Sequence, residues 1–244
     1  MQRYPQEGYV LPELALKKCN EDGCRALTGL EFGLERATKN ERGSSVWSVD
    51  PHVVTSVEYG LHMNKPTLLI KHGGKNNPFN SPEGYEELRA KGYERSKFKL
   101  DNGLFHLDCE EGLEQTGPER QIWVIQGEAL EKLVSGLVQI TQAAEKTALV
   151  PMIGGMTNVE GYEIGHKNNI GSQIRIVVDK DATNLVNPLG CPLVFDYDND
   201  LDGFNDYYVN GCVVGVSVGA EGATQKKNET ISKGSFLDLL LRQK

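Results

Sequence analysis

The densest concentration of chemistry in these 244 residues is acidic: Asp196-Tyr197-Asp198-Asn199-Asp200-Leu201-Asp202-Gly203-Phe204-Asn205-Asp206. Counted from Asp198, carboxylates fall at positions 1, 3, 5 and 9, with Gly203 at position 6 and Phe204 at position 7. Alternate residues of a coiled loop can point toward one centre, and a glycine permits the sharp turn between them. Calcium prefers six to eight oxygen ligands at about 2.3 to 2.6 Å, which such a loop can supply. The expected ligands are the carboxylates of Asp198, Asp200, Asp202 and Asp206 and the backbone carbonyl of Phe204, with Asp196 as an added ligand or an outer hydrogen-bond partner. Without a cation these carboxylates repel one another; a bound divalent ion removes that penalty.

The DxDxDGxxD pattern from Asp198 to Asp206 resembles the calcium loops of the FG-GAP, dockerin and thrombospondin type 3 families over about a dozen residues. Val209 stands at position 12, where an EF-hand carries a bidentate glutamate, and the loop occurs once. A local structural clamp is therefore expected, neither a sensor hand nor a tandem array. A second resemblance uses the same residues. Leu193-Val194-Phe195-Asp196-Tyr197-Asp198 resembles the first motif of haloacid-dehalogenase-type phosphatases, which implies Asp196 as nucleophile, Asp198 as acid/base and magnesium between them. Only 46 residues follow Asp198, and Asp200 stands where that family has Thr.

A further resemblance lies upstream. Lys65-Pro66-Thr67-Leu68-Leu69-Ile70-Lys71-His72-Gly73-Gly74-Lys75 and Trp123-Val124-Ile125-Gln126-Gly127-Glu128 resemble two blocks of SGNH carbohydrate acetylesterases, in the right order. This implies a ligand site lined by His72, Gly73, Gly74, Asn76 and Gln126 at strand ends, where α/β folds place ligands. No nucleophile block and no terminal DxxH accompany them, so no catalytic residue is assigned and the enzyme reading stays open.

Several elements must position these groups. Thr28 and Glu31 have capping-box spacing and start a helix to about Ala37. Asp50, Pro51 and the recurrence of Val53, Val54, Val57 and Leu61 predict a second helix, making the first third largely helical. Thr67 to Ile70 reads as a strand covered on both faces, and Ser81-Pro82 opens a helix that Gly92 can end. Asp101-Asn102-Gly103 marks a hairpin between 96–100 and 104–108. A strand is expected at 121–125, a helix from about 128 to 146 and a strand at 148–153. From Gly154 the chain turns Gly- and Asn-rich between β-prone runs at 174–178, 192–195 and 207–218, and a last helix is expected after Ser235. Gly154-Gly155 and 215–222 lack phosphate-loop context and read as bends.

The fold class expected is α+β, or α/β in the N-terminal part. A mixed sheet with covering helices would occupy 1–154, and a β-rich part with the acidic loop 155–244, the two together allowing one continuous domain. The chain is long enough to bury a core without metal or disulfide staples. Its net charge of −8 disfavours nucleic acid and anionic membranes as partners. No apolar run is long enough to span a membrane, and the N-terminus lacks signal-peptide texture. Five cysteines, an odd number, preclude complete internal pairing and show no CxxC spacing. The histidines form no HxH or HxxxH pair.

The functional expectation is a soluble calcium-binding module or assembly unit with a protein or carbohydrate partner, able to homo-oligomerise, in an extracytoplasmic or particle-associated setting. A hydrolase and a virion or shell subunit are the alternatives.

Overall fold

The computed structural model describes residues 1–62, 64–74, 77–90, 98–99, 122–127, 130, 149–171, 175–177, 189–195, 200–202 and 211–218. The chain opens with β1 (Gln2–Tyr4), α1 (Pro12–Glu21), β2 (Cys24–Ala26) and α2 (Gly29–Thr38), followed by a 3-10 turn (Ser45–Ser48). β3 (His52–His62) and β4 (Lys65–His72) form a long antiparallel pair, and a second 3-10 turn (Pro78–Asn80) leads into α3 (Pro82–Ala90). The remaining elements are β5 (Phe98–Lys99), β6 (Ile122–Ile125), α4 (Val150–Ile153), α5 (Met156–Asn169), β7 (Arg175–Val177), β8 (Leu189–Phe195), β9 (Asp200–Asp202) and β10 (Val213–Ser217).

The fold is α+β with two sheets. The larger runs β6-β4-β3-β8-β9-β7, with β5 also paired to β8; the smaller is β1-β10-β2. Strands from both sides of residue 154 pair in each sheet: β8 lies against β3, and β10 lies between β1 and β2. No helix of the described residues is long and apolar enough to cross a membrane.

Sequence and structure agree at the α2 start. The Thr28 hydroxyl accepts the Glu31 N–H at 3.3 Å, and the Glu31 carboxylate accepts the Thr28 N–H at 2.9 Å. β4, β6 and α3 lie where their apolar runs and Ser81-Pro82 place them. The hairpin at 96–108 is represented by Phe98–Lys99 alone, and the helices expected at 128–146 and after Ser235 fall outside the described residues, Leu130 excepted.

Three expectations are corrected. Residues 50–61 form no helix but the eleven-residue strand β3. A strand buried on both faces shows no apolar/polar alternation, and here buried His52, Thr55, Ser56 and Glu58 interrupt the apolar run, so Val53, Val54 and Val57 satisfy helical spacing without being helical. Their β-branched side chains, with Thr55 and Tyr59, suit the pleated surface. Val53 and Val57 enter the main core and Val54 a second one, so both faces are used. The run to Ile153 ends in a helical turn, α4, with Pro151 in its first positions, where a missing N–H costs nothing.

The third correction is α5, fourteen residues of helix inside the part expected to be mostly β. Its glycines, which argue against a helix, serve packing. A Cβ on Gly165 would stand 2.2 Å from the Trp47 indole, and one on Gly161 would stand 2.6 Å from the Ala37 carbonyl oxygen. Close approach to α2 and Trp47 offsets the poor intrinsic propensity of these residues.

The main core gathers Phe32, Trp47, Val53, Val57, Leu68, Ile70, Ile153, Val159, Tyr162 and Phe195. Burying side chains of this size contributes roughly 1.5–3 kcal/mol each. Among them lies a fully buried Arg36. Its guanidinium carbon is 5.0 Å from the ring centroids of Phe32 and Trp47 and 5.4 Å from that of Phe195. Its N–H groups donate to the Val46 and Val49 carbonyls and the Tyr162 hydroxyl at 3.4, 2.8 and 3.2 Å. Three aromatic faces and three oxygens thus receive a charge that burial would otherwise make costly.

Candidate functional site

β8 carries the chain to the acidic segment, and both ends of that segment rest on the first residues of β3. On the way in, Phe195 is fully buried edge-on against Phe32 at 5.1 Å between centroids, and its N–H donates to the Pro51 carbonyl at 3.4 Å. Val194, one residue earlier, pairs with His52. On the way out, Gly211 exchanges two backbone hydrogen bonds with Val10, at 2.6 and 3.1 Å, and the Cys212 carbonyl accepts the His52 N–H at 2.8 Å. The pocket between Gly211 and His52 has no room for a side chain: a Cβ there would stand 2.2 Å from the imidazole.

Of the expected calcium ligands, Asp200 and Asp202 are carried by β9, which pairs with β8 at Val194↔Asp202 and with β7 in parallel at Arg175↔Asp200. Asp196, Asp198, Phe204 and Asp206 lie outside the described residues. Among the described residues no three His, Cys, Asp or Glu side chains converge as a metal site.

The support under the segment is itself polar. His52 is buried, and among the described residues neither ring nitrogen has a hydrogen-bond partner; burial lowers its pKa to about 4, so the ring is neutral. The Asp50 carboxylate, also buried, accepts the Tyr9 hydroxyl at 3.2 Å, and the Cys212 thiol donates to the Asp50 carbonyl at 3.3 Å. Burial, then the Asp50 charge, raises the Tyr9 hydroxyl pKa. Burial likewise raises that of Cys212. Nothing in the sequence marked Tyr9 or His52, and Asp50 read as a helix cap because the strand after it mimics helical spacing.

The residues of the His72 block are distributed differently. His72 is buried and both ring nitrogens are engaged. The Gly29 N–H donates to the Thr55 hydroxyl at 2.8 Å, which leaves that hydroxyl to donate to His72 Nδ1 at 2.9 Å. Nε2–H then donates to the Pro151 carbonyl at 2.6 Å. Burial lowers the His72 pKa to about 4, against the opposing pull of the Pro151 carbonyl and Glu31. The imidazole thus ties α2, β3, β4 and α4 together. Gly73 and Gly74 follow with φ of 71° and 93°, and Asn76 lies outside the described residues.

Gln126 sits at the other end of β4, where its amide donates to the Thr67 hydroxyl at 2.6 Å. Thr67 and His72 are five strand positions apart, about 16 Å, so the structure does not bring Gln126 to the His72 end. Between these ends, on the strand face opposite Ile70, lies a buried ion pair, Lys71 with Glu58 at 3.5 Å, joined by Ser56, whose hydroxyl donates to Glu58 at 2.9 Å.

No protein-family model matches the chain, and no curated protein does. A solved structure does, described as accommodation of massive sequence variation in Nanoarchaeota by the C-type lectin fold. The match covers 88% of this chain and 97% of that one, with a TM-score of 0.62 and 22% identity. The two sheets and their covering helices therefore belong to a protein with the C-type lectin fold.

Proposed function

We propose that this chain is a binding module that presents the segment between β8 and β10 to a carbohydrate or protein partner, with one calcium ion held in that segment, in an extracytoplasmic or particle-associated setting. The observation that carries the reading is the likeness to a C-type lectin fold along nearly the whole chain, described for the matched protein as accommodating massive sequence variation. A scaffold of that kind supports varied residues on loops held by a rigid sheet. Here the segment between β8 and β10, which includes β9, holds the most acidic stretch of the sequence, and its two ends are fastened to Pro51, His52 and Val10.

The donor set suits calcium by its chemistry. The carboxylates of Asp196, Asp198, Asp200, Asp202 and Asp206 and the Phe204 carbonyl are hard oxygen ligands, and no thiol or imidazole lies among residues 196–206. Calcium would offset part of the segment's negative charge and fix its shape; the protein's own residues would anchor it at Phe195 and at Gly211–Cys212.

Thermal melting with calcium and with chelator tests the metal. A ligand at 100 times its Kd adds about 2.7 kcal/mol, and each kcal/mol moves Tm by about 2–4 °C for a chain of this size. Millimolar calcium should raise Tm by several degrees and chelation should reverse the rise, while Asp200→Ala with Asp202→Ala should abolish the response. An unchanged Tm in the wild-type protein would remove calcium from the proposal. A glycan array and a protein-capture screen, each run with and without chelator, test the binding role.

A further inference from the structure

The turn between α1 and β2 brings two thiols together. α1 ends at Glu21, Asp22 caps it, and Gly23, with a left-handed φ of 68°, reverses the chain into β2. The Asp22 and Gly23 N–H groups donate to the Lys18 and Asn20 carbonyls at 3.1 and 3.0 Å, and the Val218 N–H donates to the Gly23 carbonyl at 3.2 Å, so the reversal is held from both sides. Cys19, in the last turn of the helix, and Cys24, the first residue of the strand, are both buried, and both are free thiols. Gly215 of β10 marks where they meet. A Cβ added there would stand 2.5 Å from the Cys19 sulfur and 3.2 Å from the Cys24 Cβ, so both side chains border the space that the glycine leaves empty.

We propose that Cys19 and Cys24 are a modification site, oxidised by a low-molecular-weight disulfide to a bond that fastens the end of α1 to β2, the outer strand of the smaller sheet. One cysteine thiolate attacks the small disulfide, whose S–S bond breaks and whose leaving sulfur takes the electron pair and a proton. The second cysteine then attacks the mixed disulfide, forming the Cys19–Cys24 bond and releasing the second small thiol. The protein loses two electrons and two protons, and the small disulfide gains them. Cys24, 8% exposed, is the entry point, and Cys19, at 0%, is the thiol that closes the bond. Burial, then the Cys24 and Asp22 charges, pushes the Cys19 thiol up to about 12, so closure is slow in the folded protein and proceeds as the chain folds. Cys212 does not compete, because its thiol is turned to the Asp50 carbonyl at 3.3 Å. The inference stands apart from the binding-module reading, since the bond fastens the smaller sheet whether or not the chain takes calcium or a partner.

The test refolds the full chain from denaturant in glutathione buffer, oxidised in one arm and fully reduced in the other, and then alkylates the free thiols. Trypsin cuts after Lys18 and Arg25, so one peptide, 19–25, carries both cysteines. Expected in the oxidised arm are that peptide unalkylated and two hydrogen masses lighter, and a Tm higher than in the reduced arm by roughly 4–8 °C. The rise should vanish in Cys24→Ser. Should that variant fail to fold, the peptide mass from the wild-type chain decides alone. A peptide alkylated at both sulfurs in the oxidised arm overturns the proposal. So does one that carries glutathione, or one linked to a peptide holding Cys109, Cys191 or Cys212.

Discussion

Single side chains here report how differently one residue type can be used. His52 and His72 are both buried and neutral with pKa values lowered to about 4, yet His72 is bonded through both nitrogens and His52, among the described residues, through neither. The ordinary histidine value is about 6.5, so between pH 6.5 and 4 the unfolded chain binds protons that the folded chain refuses. Stability therefore falls as pH drops through that window, by about 2 kcal/mol per histidine at pH 5. Urea midpoints at pH 7.5 and pH 5 check this. The wild type should lose stability on acidification, and His52→Leu, which removes an imidazole with no hydrogen bond to lose, should keep part of that stability. An identical pH dependence in the variant would show that His52 does not titrate on unfolding.

Elements were legible from the sequence where a local signal agreed with the tertiary demand. The α2 start is such a place. Glu31 closes the capping box and also takes a two-pronged pair from Arg25 at 2.6 and 2.9 Å. Burial alone would raise the Glu31 pKa, but the Arg25 and Thr28 hydrogen bonds outweigh it and hold the carboxyl below its usual range. Thr28→Ala should cost about 1 kcal/mol, measured as a shift in denaturant midpoint with unchanged slope. β3 was illegible for the opposite reason: with both faces buried it has no alternation to read, and its valines fit a helix as well as a strand. α5 was hidden because Gly161 and Gly165 answer to Ala37 and Trp47, contacts from distant parts of the chain that no local window contains. The acidic segment was legible as chemistry, since its spacing is local. Its supports at Val10, Asp50 and His52 were not, because they lie some 150 to 200 residues away in the chain.

At the scale of the molecule, the two sheets meet at residues 211–212 and at Leu27, which bonds to Val214 of β10 and Val54 of β3. Gly211 bonds to Val10 beside the smaller sheet and packs on His52 of the larger, Cys212 bridges to Pro51, and β10 then runs between β1 and β2. The segment proposed to bind calcium returns to the fold at the Gly211–Cys212 joint, so its order is tied to part of the docking of the sheets. Gly211→Val tests that coupling. A side chain at 2.2 Å from the imidazole must displace His52 or the backbone that holds it, and overpacking of this kind costs about 1–3 kcal/mol. The expected result is a lower Tm together with weaker calcium stabilisation, because the displaced joint anchors the metal segment. Gly211→Val combined with His52→Ala, which vacates the clashing volume, should recover much of both. A variant with lowered Tm but an undiminished calcium shift would show that the joint and the segment are energetically independent.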